Sequence, residues 1–296
     1  MDAKAQTATG KHEIVLSSLE IPSIPAVALK IIHILGDDQS SFLELEKIVS
    51  LDQSITVKLL QIANSPYFSR GGEIGKVNDA IMRIGYEAVR TLVVMASLRS
   101  LRQKSCDVDK SIWEHSVAVG FGATVVARKL GLPRPGDFLV PALLHDLGKV
   151  ILNRNAPTLY ARVIAQVTGE GCQFTKAEQA FWGQTHADIG AFAASVWRLP
   201  ADITSVIALH HEDIEALNLE AGTKEKLLVV MLADYLCSKL GLGLCGSASG
   251  RETQYLALFG VKDPSWFDAA GTEIQKGFPE YRNCLVGDDP NIPEFV

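Results

Sequence analysis

Apolar residues recur at spacings of three and four along nearly every periodic segment of this chain, while the strict alternation that marks β-strands is scarce. That pattern predicts an all-α fold. With 296 residues, 47% of them hydrophobic, the chain is long enough for one large core or two ordinary ones. Residues 25–35, PAVALKIIHIL, place Pro25 in a first helical turn and stop before Gly36. Ser40 or Ser41 can cap the next helix, with Glu44 three residues after Ser41 as in a capping box. Residues 52–64 put Ile55, Leu59 and Ile62 on one face, and Ser65-Pro66 ends the run because proline disfavours helix in the residue before it. Gly71-Gly72 reads as a loop. Asn78 can cap one long helix carrying Ile81, Ile84, Val89, Leu92, Val93 and Leu98, apolar over enough of its surface to lie deep.

The polar stretch QKSCDVDK at 103–110 marks the main boundary. It separates an N-terminal tail (1–17) and helical subdomain (18–104) from a second helical subdomain (105–242), followed by a short helical appendage within 243–296. Helices are expected in the second half at 111–130, 137–152, 156–168, 175–181, 185–198, 201–211 and 223–240, with a Gly/Ser-rich connection at 241–250.

A net charge of −6 and the lack of a long Lys/Arg run argue against a nucleic-acid surface, which needs clustered cations. The start, MDAKAQTATGKHEIVL, has no apolar core behind a basic leader, and no apolar run approaches the roughly 18 residues of a membrane span. The expectation is a cytoplasmic protein with neither a nucleic acid nor a membrane as partner. Five cysteines without a C-x-x-C pair indicate reduced thiols rather than a disulfide framework.

The chemistry concentrates in the second half. Five of the seven histidines and two aspartates follow the order His115, His145-Asp146, His186, His210-His211, Asp234. Imidazole and carboxylate together suit iron, manganese or zinc, and a carboxylate or imidazole in an apolar helix is costly unless partnered. His145 and Asp146 are expected as neighbours on one helix, about 100° apart around its axis, so a cation between them must draw further ligands from other helices. His12 and His33 have no partner pattern. Trp113, Trp182 and Trp197 read as packing residues, and the Ser40–Asn64 region lacks the basicity of a DNA-reading helix pair.

The order H, HD, D resembles the HD superfamily of metal-dependent phosphohydrolases, and His186, His210 and His211 resemble the additional ligands of its HD-GYP branch. That resemblance implies one metal on His115, His145, Asp146 and Asp234, a second on Asp146, His186, His210 and His211, and a phosphate-contacting, catalytic Lys149 in HDLGK. After His210-His211 the chain reads EDIEALNLEAG, without the D-G-x-G-Y-P segment, so cyclic-dinucleotide recognition is not implied. Ser111 stands where some members have a glutamate for a third metal.

A broader resemblance covers roughly residues 18–240. The stretches IPSIPAVALKIIHIL, EKIVSLDQSITVKLLQIANSPYF and VNDAIMRIGYEAVRTLVVMASL, followed by the H, HD, D half, resemble the HDOD family, the HD-related output domain of bacterial signalling. It implies an N-terminal helical subdomain packed on an HD-like bundle, and a regulatory role through a signalling protein partner. A mono- or dinuclear site of iron or manganese, or of zinc, would accompany it, open to a phosphorylated small-molecule ligand. The competing expectation is a metal-dependent phosphohydrolase or phosphodiesterase acting on a nucleotide or other phosphoester; a di-iron redox or oxygen sensor is a third.

Overall fold

The computed structural model describes residues 19–34, 42–65, 68, 72–98, 106–246 and 252–286, and every regular element among them is helical. The expected caps at Ser40 and Ser41, the stop at Pro66, Gly71 and His12 lie outside the described residues.

The N-terminal region comprises α1 (Ala26–Ile34), α2 (Phe42–Ser50), α3 (Gln53–Ala63), α4 (Val77–Ile84) and α5 (Tyr86–Leu98). Its helices close on Ala28, Ile31, Leu45, Val49, Leu59, Ile81 and Val89, all nearly or wholly buried. Asp52 caps α3 by accepting the Ile55 N–H at 3.0 Å. Asn64 ends the same helix, and its amide exchanges two 2.8 Å bonds with the backbone of Ile74, fastening the approach to α4.

The long helix expected from Asn78 is instead two. Gly85, at φ 97°, takes a conformation that side chains resist, and the axis breaks between α4 and α5. Asn78 lies inside the first turn of α4, with its amide 3.5 Å from Glu46 on α2, and does not cap the helix.

The second region is built on α6 (Asp107–Lys129), which begins four residues before the expected 111 and carries Asp107 and Asp109 in its first turn, where the helix dipole favours them. A 3-10 turn (Pro135–Phe138) leads into α7 (Leu139–Leu144), α8 (Leu147–Asn155), α9 (Pro157–Glu170), α10 (Phe174–Trp182), α11 (His186–Val196), α12 (Ala201–Leu209) and α13 (Ala221–Lys239). Helix α13 packs along α6, and α11 lies against both α8 and α12.

After α14 (Glu252–Leu258) comes α15 (Ser265–Val286), 22 residues long and so no short appendage. It buries Phe267, Ala270, Ile274 and Phe278, sets the Tyr281 ring at a tilt against Phe121 and pairs Arg282 with Glu114 of α6 at 2.7 Å. Residues 241–246 are likewise held, since the Leu244 N–H donates to Ser111 O on α6.

The two regions meet closely. Helix α5 packs on α7 and the 3-10 turn, where Arg90 approaches Asp137 at 3.8 Å. The Trp197 indole donates to Pro22 O at 3.0 Å, and Asn155 exchanges bonds of 2.8 and 3.1 Å with the backbone of Glu20. Trp113, Trp182 and Trp197 are all buried, as packing residues should be. Cys106, Cys172, Cys237 and Cys245 are free thiols, and no helix among the described residues is long and apolar enough to cross a membrane.

Candidate metal centre

His145 and Asp146 do not share one helix, as the periodicity suggested. The chain leaves helical geometry at Asp146 (φ −96°, ψ 15°), and the pair forms the junction between α7 and α8. A junction removes the 100° separation that one continuous helix would impose, so both side chains reach a common space. His145 Nε2 lies 3.3 Å from Asp146 Oδ2.

The seven residues singled out by spacing converge on Asp146 as two groups: Asp146 with His186, His210 and His211, and His115 with His145 and Asp234, the candidate ligand atoms of each group lying within 4.8 Å of one another. Asp146 Oδ1 is 3.2 Å from His186 Nε2 and 3.7 Å from His210 Nε2, while its Oδ2 is 3.8 Å from His115 Nε2. His115 Nε2 also meets Asp234 Oδ1 at 3.0 Å. Helices α6, α11 and α13, the α7–α8 junction and the end of α12 each contribute.

Three imidazoles are oriented by backbone carbonyls. The Nδ1 atoms of His115, His145 and His210 lie 2.9, 2.6 and 2.9 Å from Leu242 O, Ala142 O and Ile207 O respectively. A carbonyl can only accept, so each Nδ1 carries the proton, and Nε2 is the nitrogen left to offer a lone pair to a metal once its own proton is displaced. Two glycines set the spacing. A Cβ on Gly148 would fall 1.8 Å from His186 O, and one on Gly190 3.2 Å from Gly148 N, so α8 and α11 cross at backbone contact. Gly243, at φ 75°, would drive a Cβ to 2.3 Å from His115 N; as glycine it lets the Leu242 carbonyl reach His115.

Most of this centre is buried: His115, His145, Asp146, Lys149, His186 and His210 all fall below 5% exposure, whereas Asp234 and His211 are half-buried and form its accessible edge. Burial opposes charge, but the His145 and Lys149 charges hold the Asp146 carboxyl well below the usual carboxylate range. For Asp234, burial is overcome by the hydrogen bond and charge of His115, and its pKa is lowered. Burial disfavours His145 as a cation, yet Asp146 raises it; burial likewise disfavours charge on His186, but Glu178 takes its pKa up to about 9. His210 and His211 are lowered, by burial first.

The donor set fits a metal on two observations. Asp146 Oδ1 is buried without a hydrogen-bond partner, a costly condition that a cation relieves. His186 Nε2 stands 3.3 Å from His210 Nε2 and 2.9 Å from His211 Nε2, and nitrogens bound to one ion at about 2.0–2.1 Å stand about 3.0–3.4 Å apart. Lys149 Nζ lies 2.7 Å from Asp146 Oδ2 and 4.4 Å from the centre of the Phe174 ring, and Asp146 raises its pKa against the opposing effect of burial. His33 is exposed on α1.

Sequence reading missed Glu178. It is wholly buried and takes both the Nδ1–H and the backbone N–H of His186 on Oε2, at 2.7 and 2.8 Å. A signal existed: Phe174, Glu178 and Trp182 follow one another at i, i+4 spacing, which sets a carboxylate on the apolar stripe of α10.

The all-helical architecture is that of the HD-like proteins. A profile of the HDOD domain matches residues 21–213, and the chain belongs to the HDOD family. An HDOD domain protein of unknown function from Geobacter sulfurreducens superposes with a TM-score of 0.75 at 26% identity, covering 91% of this chain and 94% of that one. A candidate phosphohydrolase from Shewanella amazonensis SB2B shares the fold at TM-score 0.69 and 20% identity, over 93% and 100% of the two chains. A protein of uncharacterised function from Treponema pallidum (strain Nichols) is 23% identical over 193 residues, 65% of this chain; the chain spans only 38% of that curated relative's length.

Proposed function

We propose that this protein is a signal-transduction output module whose second region carries a metal centre, read out through contacts with a protein partner. The observation that carries the proposal is the convergence of five imidazoles and the Asp234 carboxylate around buried Asp146, one oxygen of which has no hydrogen-bond partner. His115, His145 and Asp234 would hold one divalent ion, His186, His210 and His211 a second, with Asp146 between them; iron, manganese and zinc all suit such donors. The burial of most of the set favours a regulatory centre over an open catalytic one, since catalysis needs an accessible ligand position.

A second reading, a metal-dependent phosphohydrolase acting on a nucleotide or other phosphoester, is favoured by the half-buried edge at Asp234 and His211 and by Lys149 beside the centre. When bound, the metals would lower the pKa of a water and stabilise charge on a phosphoryl group. The chain's own contribution would be orientation of the imidazoles through their Nδ1 bonds and an ammonium at Lys149 Nζ for a phosphate oxygen.

The test is metal analysis of anaerobically purified protein beside an Asp146→Ala variant, with a hydrolysis screen over nucleotides and p-nitrophenyl phosphate. Stoichiometric metal lost in the variant, without turnover, supports the regulatory centre. Turnover lost together with the metal establishes the hydrolase, and a folded, metal-free parent sinks both readings.

A further inference from the structure

Glu178 is a buried charge for which packing gives no reason. Its carboxylate, on α10, is wholly buried, and among the described residues its ion-pair partner is His186. Both N–H groups of His186 donate to Oε2, and the hydroxyl of Tyr160, also fully buried, lies 3.5 Å from Oε1. A glutamine could accept the same N–H bonds through its carbonyl oxygen, without the cost of several kcal/mol that an ion taken out of water carries. The hydrogen bonds therefore do not account for the negative charge.

The opposite side of the His186 ring supplies an account. Nδ1 faces Glu178, and Nε2 faces Asp146, His210 and His211. His115, His145 and His210 are backed by neutral carbonyls, so of these four imidazoles His186 is the one with a carboxylate behind it. The two groups around Asp146 also differ in charge: one contains Asp234, whereas the other is three histidines with only Asp146, which faces both.

Resting on the metal reading above, we infer that Glu178 is a positioning residue: through the His186 ring it fixes the tautomer that offers Nε2, and it gives the His186, His210 and His211 pocket the anionic charge that Asp234 gives the other. Each pocket then has a carboxylate of its own, one in direct reach and one a ring's width away. Carboxylates placed behind metal-binding histidines strengthen them as donors in this manner.

The test is Mn(II) titration of the chelator-stripped full chain, followed by the EPR signal of free and bound ion, in the parent, Glu178→Gln and Glu178→Asp. Glu178→Gln keeps the shape and removes the charge; circular dichroism checks its fold. The expected result is a Mn(II) binding step weakened about ten- to hundredfold, recovered in part by Glu178→Asp. Binding in Glu178→Gln unchanged from a parent that does take up Mn(II) overturns the role of Glu178 and leaves the metal reading standing, whereas a parent that binds neither Mn(II) nor Fe(II) or Zn(II) in the same titration overturns both. If Glu178→Gln does not fold, NMR of the unaltered protein decides: the Nδ1 proton of His186 is expected downfield of those of His115, His145 and His210, and an unexceptional position overturns the proposal.

Discussion

The two regions of this molecule solve the problem of a stable interior in opposite ways. In the N-terminal helices the core is aliphatic apart from the buried Lys58 and Arg90, built from residues such as Ile31, Ile32, Leu45, Leu59 and Ile81, and several large apolar residues, Leu43, Leu51 and Met82, are left about 70% exposed. The second region places Asp109, His115, His145, Asp146, Lys149, Asn153, Glu178, His186 and His210 inside. Apolar burial stabilises wherever it occurs, whereas buried ions and imidazoles do so only when every partner is in place. The N-terminal core should therefore tolerate piecemeal damage, and the second region should respond to loss of any one member as a unit.

The largest effect expected is that of Gly148→Ala, whose new methyl would have to displace the backbone of His186 from 1.8 Å. A loss of more than about 4 kcal/mol in denaturant unfolding, or no folded protein, is predicted, against little change for Gly75→Ala, where nothing lies within 4 Å. A mild Gly148→Ala would break the picture of a centre set by backbone contact. Asp146→Ala comes next: it strands Lys149 and the surrounding imidazoles and should cost about 3–5 kcal/mol, with loss of bound metal in the same sample.

Leu59→Ala is the matching lesion in the N-terminal core. It empties an aliphatic position of α3 and should cost about 2–4 kcal/mol in chemical denaturation while metal content stays at the parental level. If the metal is lost as well, the two regions share one cooperative unit and the contrast fails. Met82→Ser, at a 73% exposed position, should shift stability by no more than about 0.5 kcal/mol and leave metal binding untouched.

What the sequence revealed follows the same division. Helical periodicity depends on local spacing, and it disclosed α1, α3 and most helices of the second region within a few residues. The order of His115, His145-Asp146, His186, His210-His211 and Asp234 was visible because these residue types are scarce in apolar helices, and the structure brings all seven together. Lys149 is also at the centre, paired with Asp146. The breaks at Gly85 and Asp146 were hidden because apolar spacing continues across both, and only backbone dihedrals reveal them. Gly148, Gly190 and Gly243 were illegible for a related reason: what each glycine permits is the approach of a distant segment. Glu178 was overlooked because a single glutamate among Lys176 and Gln179 reads as a solvated face until its place on the stripe of Phe174 and Trp182 is counted.

The crossing at Gly148 and Gly190 acts as a gauge block for the centre. With no side chain between α8 and α11, the separation of Asp146 from His186 is set by the thickness of two main chains, a dimension that rotamer changes and sequence drift elsewhere cannot alter. The surrounding core can be repacked, residue by residue, without changing the distance on which the two halves of the ligand set depend.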